Sequence, residues 1–214
     1  YYDGKGVLQN YVAAAKWYTL SATQGYSEAQ FKLGNMYYDG KGVARDYKTA
    51  LKWYTMSAKQ GHPRAQFNLG SMFYDGKGVA KNHTTAINWF SLSAKLGNVN
   101  SQFNLGNMNY LGQGIDQNYT AALDWYTLAA KKGHAKAQFN LVNMFYHGQG
   151  SVKDDEIATE WYLLSAGQGY APAQFNMGTI YYLGRGTPQN YKNAIKWYKL
   201  SAEQGYAPAQ LSLG

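Results

Sequence analysis

The side chains in this sequence best suited to chemistry are amides. Asn104, Asn107, Asn140, Asn143 and Asn176 follow one another at separations of 3, 33, 3 and 33 residues. An Asn amide donates and accepts at once, as the N–H and C=O of an extended peptide do. A ladder of such groups can grip backbone without demanding a particular sequence. The same groups could instead solvate an exposed face or bond between repeats. Residues that would support catalysis or metal binding are sparse. Of the four histidines, His62 and His134 share a column with Tyr26, Tyr170 and Tyr206, and His83 stands where tyrosine is usual, so all three read as packing substitutions. His147 alone falls on a face open to a ligand, with no second ligand at metal spacing. Asp154, Asp155, Glu156 and Glu160 cluster at an expected helix start, where carboxylates suit the helix dipole, and they lack the alternating ligands and glycine of a calcium loop. Neither S-x-x-K nor G-x-S-x-G occurs. Catalysis is not expected, and no cofactor or metal is assigned.

The amides owe their spacing to a unit of 36 residues that recurs without insertion. Counted from its first alanine, full copies span 29–64, 65–100, 101–136, 137–172 and 173–208; residues 1–28 are a partial copy and 209–214 begin another. A period of this size means a solenoid, in which each unit buries its apolar face on its neighbours. Positions 1–11 of the unit have helical apolar spacing and end at a glycine. Glycines follow at positions 12 and 14 of every copy, which suggests positive φ or a close backbone approach. The GKGV loops superficially resemble phosphate-binding glycines, but they lack the GK[ST] ending and join helix to helix. Position 18 is always Asn or Asp (Asn10, Asp46, Asn82, Asn118, Asp154, Asn190), the natural cap of a second helix. That helix runs to Gly25, Gly61, Gly97, Gly133, Gly169 and Gly205, and all four prolines sit in connections or at helix starts. The expected fold is therefore all-α: a right-handed superhelical solenoid of antiparallel helix pairs. The Trp column at position 25, the Tyr or Phe after it and Phe at position 3 read as core.

The net charge of +8 is uneven, with 12 basic and 5 acidic residues in 1–107 against 8 and 7 in 108–214. The lysines form no continuous run, so they read as a solvated outer face and no nucleic acid is expected. Cysteine is absent, which rules out a disulfide framework. No apolar run reaches the roughly 20 residues of a membrane span.

The pattern A-x-x-x-L-G-x-M-[YF]-Y-x-G-x-G-V, followed by [ND]-Y-x-x-A-x-x-W-Y-x-x-S-A-x-x-G, resembles the Sel-one-like repeat family. The resemblance covers the whole chain. It implies an α-solenoid related to tetratricopeptide repeats and an adaptor or scaffold role. Val142 departs from the first-helix glycine, Asn109 from an aromatic, and Asp155 and His83 from the tyrosine after the cap.

With the apolar columns set aside, the first helix keeps positions 4, 7 and 11 on one face. The resemblance places this face on the concave side. The expected binding site for a protein or peptide partner comprises Asn104, Asn107, Asn140, Asn143 and Asn176, with Tyr110, Tyr146 and Tyr182 at the rim and Leu111, His147 and Leu183 as anchors. A structural alternative is head-to-tail self-association into a filament, because the chain stops and starts two residues short of six full periods.

Overall fold

The computed structural model describes residues 1–6, 8–152 and 155–214, the side chains of Asp155, Glu156 and Ile157 apart. Among the described residues there is no strand. The second helices of the repeat are α1 (Tyr11–Thr23), α3 (Tyr47–Lys59), α5 (His83–Lys95), α7 (Tyr119–Lys131), α9 (Asp155–Gly167) and α11 (Tyr191–Glu203). The first helices are α2 (Ser27–Asp39), α4 (Pro63–Asp75), α6 (Val99–Leu111), α8 (Ala135–His147), α10 (Ala171–Leu183) and the short α12 (Ala207–Leu211). Successive helices pack in pairs. The chain divides into two compact units. Unit 1 holds Tyr1–Ser101 with Gln113–Ile115, and unit 2 holds Gln102–Gly112 with Asp116–Gly214.

Local chemistry sets the helix ends. Asn10, Asn82, Asn118 and Asn190 each accept the amide N–H three residues on at 2.9–3.0 Å, and Asp46 accepts from Lys48 and Thr49. Asp154 lies outside the described residues. After the second helices the chain turns through Gly61 at φ +84° and its equivalents, with His62 N–H returning to the Ser57 carbonyl. First helices begin two residues before the alanine that starts the apolar spacing. Pro63 is the first residue of α4, and Pro172 and Pro208 are the second of α10 and α12, in the first turn where no N–H is required. The caps of α2, α4, α8, α10 and α12 are Tyr26, His62, His134, Tyr170 and Tyr206, and tyrosine is no cap signature; only Asn98, which caps α6 through Ser101 N–H, announces such a start in the sequence.

The core corrects the expectation for the aromatics. Trp53, Trp89, Trp125, Trp161 and Trp197 are only half-buried, and Trp17 is exposed. The enclosed column is the next one: Tyr54, Phe90 and Tyr126 are almost inaccessible, and Tyr162 and Tyr198 nearly so. Adjacent helical residues point about 100° apart, so only one of the pair can face the first helix. The position-6 glycine makes room for it. A Cβ on Gly34, Gly70, Gly106 or Gly178 would come within 2.5–2.7 Å of the ring of Tyr54, Phe90, Tyr126 or Tyr198. Val142 is the exception, fully buried, and there the ring tilts. Tyr162 lies at 56° to Phe139, against 38–42° for the equivalent ring pairs.

A glutamine column at position 2 closes junctions within each unit. Gln30, Gln66, Gln138 and Gln174 are buried and donate to the carbonyls of Ala22, Ala58, Ala130 and Ala166 at 3.1–3.2 Å, a second bond to last-turn groups that also accept from the N–H of the glycine after the helix. A second glutamine then donates to the first: Gln60 to Gln30, Gln168 to Gln138 and Gln204 to Gln174, at 2.7–2.8 Å.

Candidate functional site

The amides of positions 4 and 7 are tied to the buried tyrosines. Asn107 Oδ1 accepts from the Tyr126 hydroxyl at 2.7 Å and from Asn140 Nδ2 at 3.3 Å. Asn35 Oδ1 takes the same two bonds, from Tyr54 at 2.7 Å and Asn68 at 3.1 Å. In the next junction Asn143 Oδ1 accepts from Tyr162 at 2.9 Å, and Asn176 Nδ2 donates to that hydroxyl at 3.0 Å. Burial pushes the Tyr162 phenol up to about 12, partly offset by the Asn176 donor, and raises Tyr54 and Tyr126 as well. The ladder thus bonds between helices, the position-7 amides turning their carbonyls inward and the position-4 amides their N–H groups. Where the ring lacks a hydroxyl, at Phe90, the opposing residue is Ser71, which bonds back to the Phe67 carbonyl of its own helix at 3.0 Å.

Above these bonds lies a series of clefts. The α8–α10 cleft, 270 Å³, is bounded by Asn143, Tyr146, His147, Asn176, Leu183 and Arg185. The α6–α8 cleft, also 270 Å³, gathers Asn107, Tyr110, Leu111, Tyr126, Asn140 and Asn143. In unit 1 a 300 Å³ cleft lies between α2 and α4, with Asn35, Tyr38, Asp39 and Asn68 among its walls. Two of the expected residues line none of these three clefts: Asn104, half-buried on α6, and Tyr182, half-exposed on α10. Leu111 and Leu183 are exposed at 57% and 46%, open enough to meet a partner.

The rim tyrosines have a structural task. Tyr74 and Tyr110 donate to Gln113 and Gln149 at 2.8 and 3.0 Å, and the Tyr38 and Tyr146 hydroxyls accept from Lys77 and Arg185 at 2.8 and 2.7 Å. The middle residue of four loop glycine pairs, Lys77, Gln113, Gln149 and Arg185, is therefore a tether between repeats. The second glycine sits against preceding backbone: a Cβ on Gly78, at φ +70°, would meet Tyr47 carbonyl atoms at 2.7 Å. His62 and His134 stack on Phe31 and Phe103 and also cap α4 and α8, Nδ1 accepting from Ala65 and Ala137 at 3.2 Å. His83 stacks on Tyr74 at 5.0 Å. No cluster of metal-ligating side chains occurs among the described residues.

The Sel1 repeat model matches residues 1–26, 27–62, 63–98, 99–134, 135–170 and 171–206. The chain belongs to the Sel1-repeat family. The matched Sel1 units have the 36-residue period, and those from 27 onward start at the first residues of α2, α4, α6, α8 and α10. Among solved structures, c5321, described as a protective antigen of uropathogenic Escherichia coli with an SLR fold, is 35% identical with a TM-score of 0.94. That alignment covers 98% of this chain and 45% of the antigen, so the chain spans less than half of it. A Sel1 repeat protein from Oxalobacter formigenes is 34% identical over 86% of this chain and 76% of its own, with a TM-score of 0.81. The immunity protein Pa5087 of Pseudomonas aeruginosa, 21% identical over 92% of this chain and 75% of its own, shares the fold at a TM-score of 0.54. Among curated proteins, none matches in sequence. Sel1-repeat proteins are generally protein–protein interaction scaffolds and are typically not enzymes.

Column-by-column reading of the Sel1 units missed Tyr126, Tyr162 and Arg185 as cleft residues, and Gln149 as the tether of Tyr110. A signal for the first two was present. Position 7 is Asn, Asn, Asn and Thr opposite tyrosine, and Ser opposite Phe90.

Proposed function

We propose that this chain is a non-catalytic scaffold that holds an extended protein or peptide segment along the first-helix face of its repeats. The observation that carries this is the α8–α10 cleft, which brings Asn143, Asn176, His147 and Leu183 together around one opening. At 270 Å³ it lies below the roughly 300 Å³ at which small-molecule sites begin, and suits one or two side chains of a longer ligand. The α6–α8 cleft repeats the amides and puts Leu111 where the first has His147, giving a segment a second point of attachment. Asn104 and Tyr182 would act at the margins of the site. The test selects linear peptides from a randomised display library and maps the best binder by amide chemical shifts. Shifts centred on Asn143, His147, Thr179 and Leu183 are expected; shifts confined to the outer faces of α7, α9 and α11 overturn the reading.

End-to-end self-association is the alternative. Val12 and Trp17 on α1 and Leu211 on α12 are exposed at 69%, 58% and 84%. An adjoining repeat in a longer chain would cover them as well as a second copy would. Sedimentation over a concentration series decides the matter, and a chain that stays monomeric throughout excludes the filament.

A further inference from the structure

The peptide-binding reading can be carried to the chemistry of the ligand, and the inference rests on that reading. In unit 1 the residues flanking the helix-ending glycine form ion pairs, Asp39 with Lys41 and Asp75 with Lys77, each at 3.5 Å. At the α8–α10 cleft the corresponding residues are Leu183 and Arg185, so the cation is kept and its carboxylate is gone. Arg185 donates one N–H to the Tyr146 hydroxyl at 2.7 Å and has no carboxylate partner among the described residues. A guanidinium carries five N–H donors, so four remain for a ligand.

Of the two neighbouring amides, Asn143 reinforces the asymmetry, whereas Asn176, whose N–H goes to Tyr162, keeps its carbonyl as an acceptor. Asn143 Oδ1 is occupied by Tyr162, and the Tyr162 oxygen by Asn176. What Asn143 can still offer is its amide N–H. Beside these donors stand Ile180 and Leu183, and no described residue lining the cleft is acidic. We propose that the α8–α10 cleft selects acidic segments, pairing an Asp or Glu carboxylate with Arg185 and seating the adjacent apolar side chain on Ile180 and Leu183. Arginine suits this role because its planar fork takes a carboxylate through two parallel hydrogen bonds.

The other repeats supply variants that keep the fold. Arg185→Gln preserves the tether, since Gln113 and Gln149 hold Tyr74 and Tyr110 at 2.8 and 3.0 Å. Arg185→Lys preserves both tether and charge, as Lys77 does on Tyr38. Leu183→Asp rebuilds the intramolecular pair of unit 1. The probe is the best binder from the randomised library, resynthesised with its acidic residue changed to Asn or Gln. Neutralising the peptide and Arg185→Gln should each weaken binding by about tenfold, with little further loss when combined. Arg185→Lys should recover most of the affinity, Leu183→Asp should abolish it, and added salt should weaken only charged pairs. Binders that map to the cleft without an acidic residue, or that are indifferent to Arg185→Gln, overturn this proposal and leave the scaffold reading standing. If the library yields no binder, or binders that map elsewhere, both readings fall. Unchanged helical ellipticity of each variant confirms that the loss is not one of folding.

Discussion

Single-residue departures from the repeat show what each column does. Gln66 is buried, and its Oε1 has no hydrogen-bond partner, whereas Gln30, Gln138 and Gln174 each accept from a second glutamine. The difference lies in Leu96, which replaces that glutamine and is itself 55% exposed. Leu96→Gln should therefore supply the missing donor and remove an exposed leucine, raising stability by about 1 kcal/mol. A denaturation midpoint that falls or stays put would refute this account. His134 yields a prediction with a sign. Its Nδ1 accepts from Ala137, which requires that nitrogen unprotonated, and burial, then Lys136, hold its pKa below the ordinary 6.5. A group lowered on folding contributes stability above its unfolded pKa and loses it as pH falls through the folded value. The cap should be intact above pH 6.5 and fail in acid. Asn98 caps α6 from the same column through Ser101 N–H at 2.9 Å, so His134→Asn should keep the cap and flatten this part of the pH dependence. Equal acid sensitivity of the two proteins would show that the cap is not the cause.

At the scale of helices and loops most of the structure was legible, because caps and glycines are local signals with few alternative meanings. Asn10, Asn82, Asn118 and Asn190 cap as their side chains require, and the glycines take the positive φ expected of them. The starts of the first helices were not legible, since Tyr26 and Tyr170 accept no cap hydrogen bond. The amide ladder was only half legible. Helical spacing placed the Asn residues on one face, but the tyrosine partners of Asn35, Asn107 and Asn143 lie 19 residues away, a separation set by tertiary packing. The two kinds of glycine separate by substitution. Gly61 has φ +84° and nothing within 4 Å of an added Cβ, so Gly61→Ala should cost only the left-handed penalty, about 1–2 kcal/mol. Gly78 adds the Tyr47 backbone at 2.7 Å, so Gly78→Ala should cost clearly more. Equal losses in thermal denaturation would mean that the close approach is readily relieved.

For the molecule as a whole, the exact period made the solenoid plain, since a unit that cannot bury its apolar face alone must stack. The binding face was less plain, because residues that hold repeats together and residues that meet a partner share the same columns. The buried phenols give both units a common liability. Tyr54 in unit 1 and Tyr126 and Tyr162 in unit 2 have their pKa raised by burial, Tyr162 to about 12. A phenol in the unfolded chain loses its proton near 10. Above that pH the unfolded state ionises while the folded state keeps its protons, so stability is whole below about pH 10 and declines as pH rises toward the folded values. Ionisation in place would also break the bonds in which these hydroxyls donate to Asn35, Asn107 and Asn143. Most of the 21 tyrosines are at least partly accessible and should ionise without loss of helix. Phenolate absorbance should therefore rise in two phases, the first with ellipticity intact and the second coincident with its loss. Tyr54→Phe with Asn35→Ser copies the natural pairing of Phe90 with Ser71, and it should move the second phase to higher pH by removing one buried acid. A single phase completed while the helices persist would show that the buried hydroxyls are open to solvent, and with them the ladder beneath the clefts.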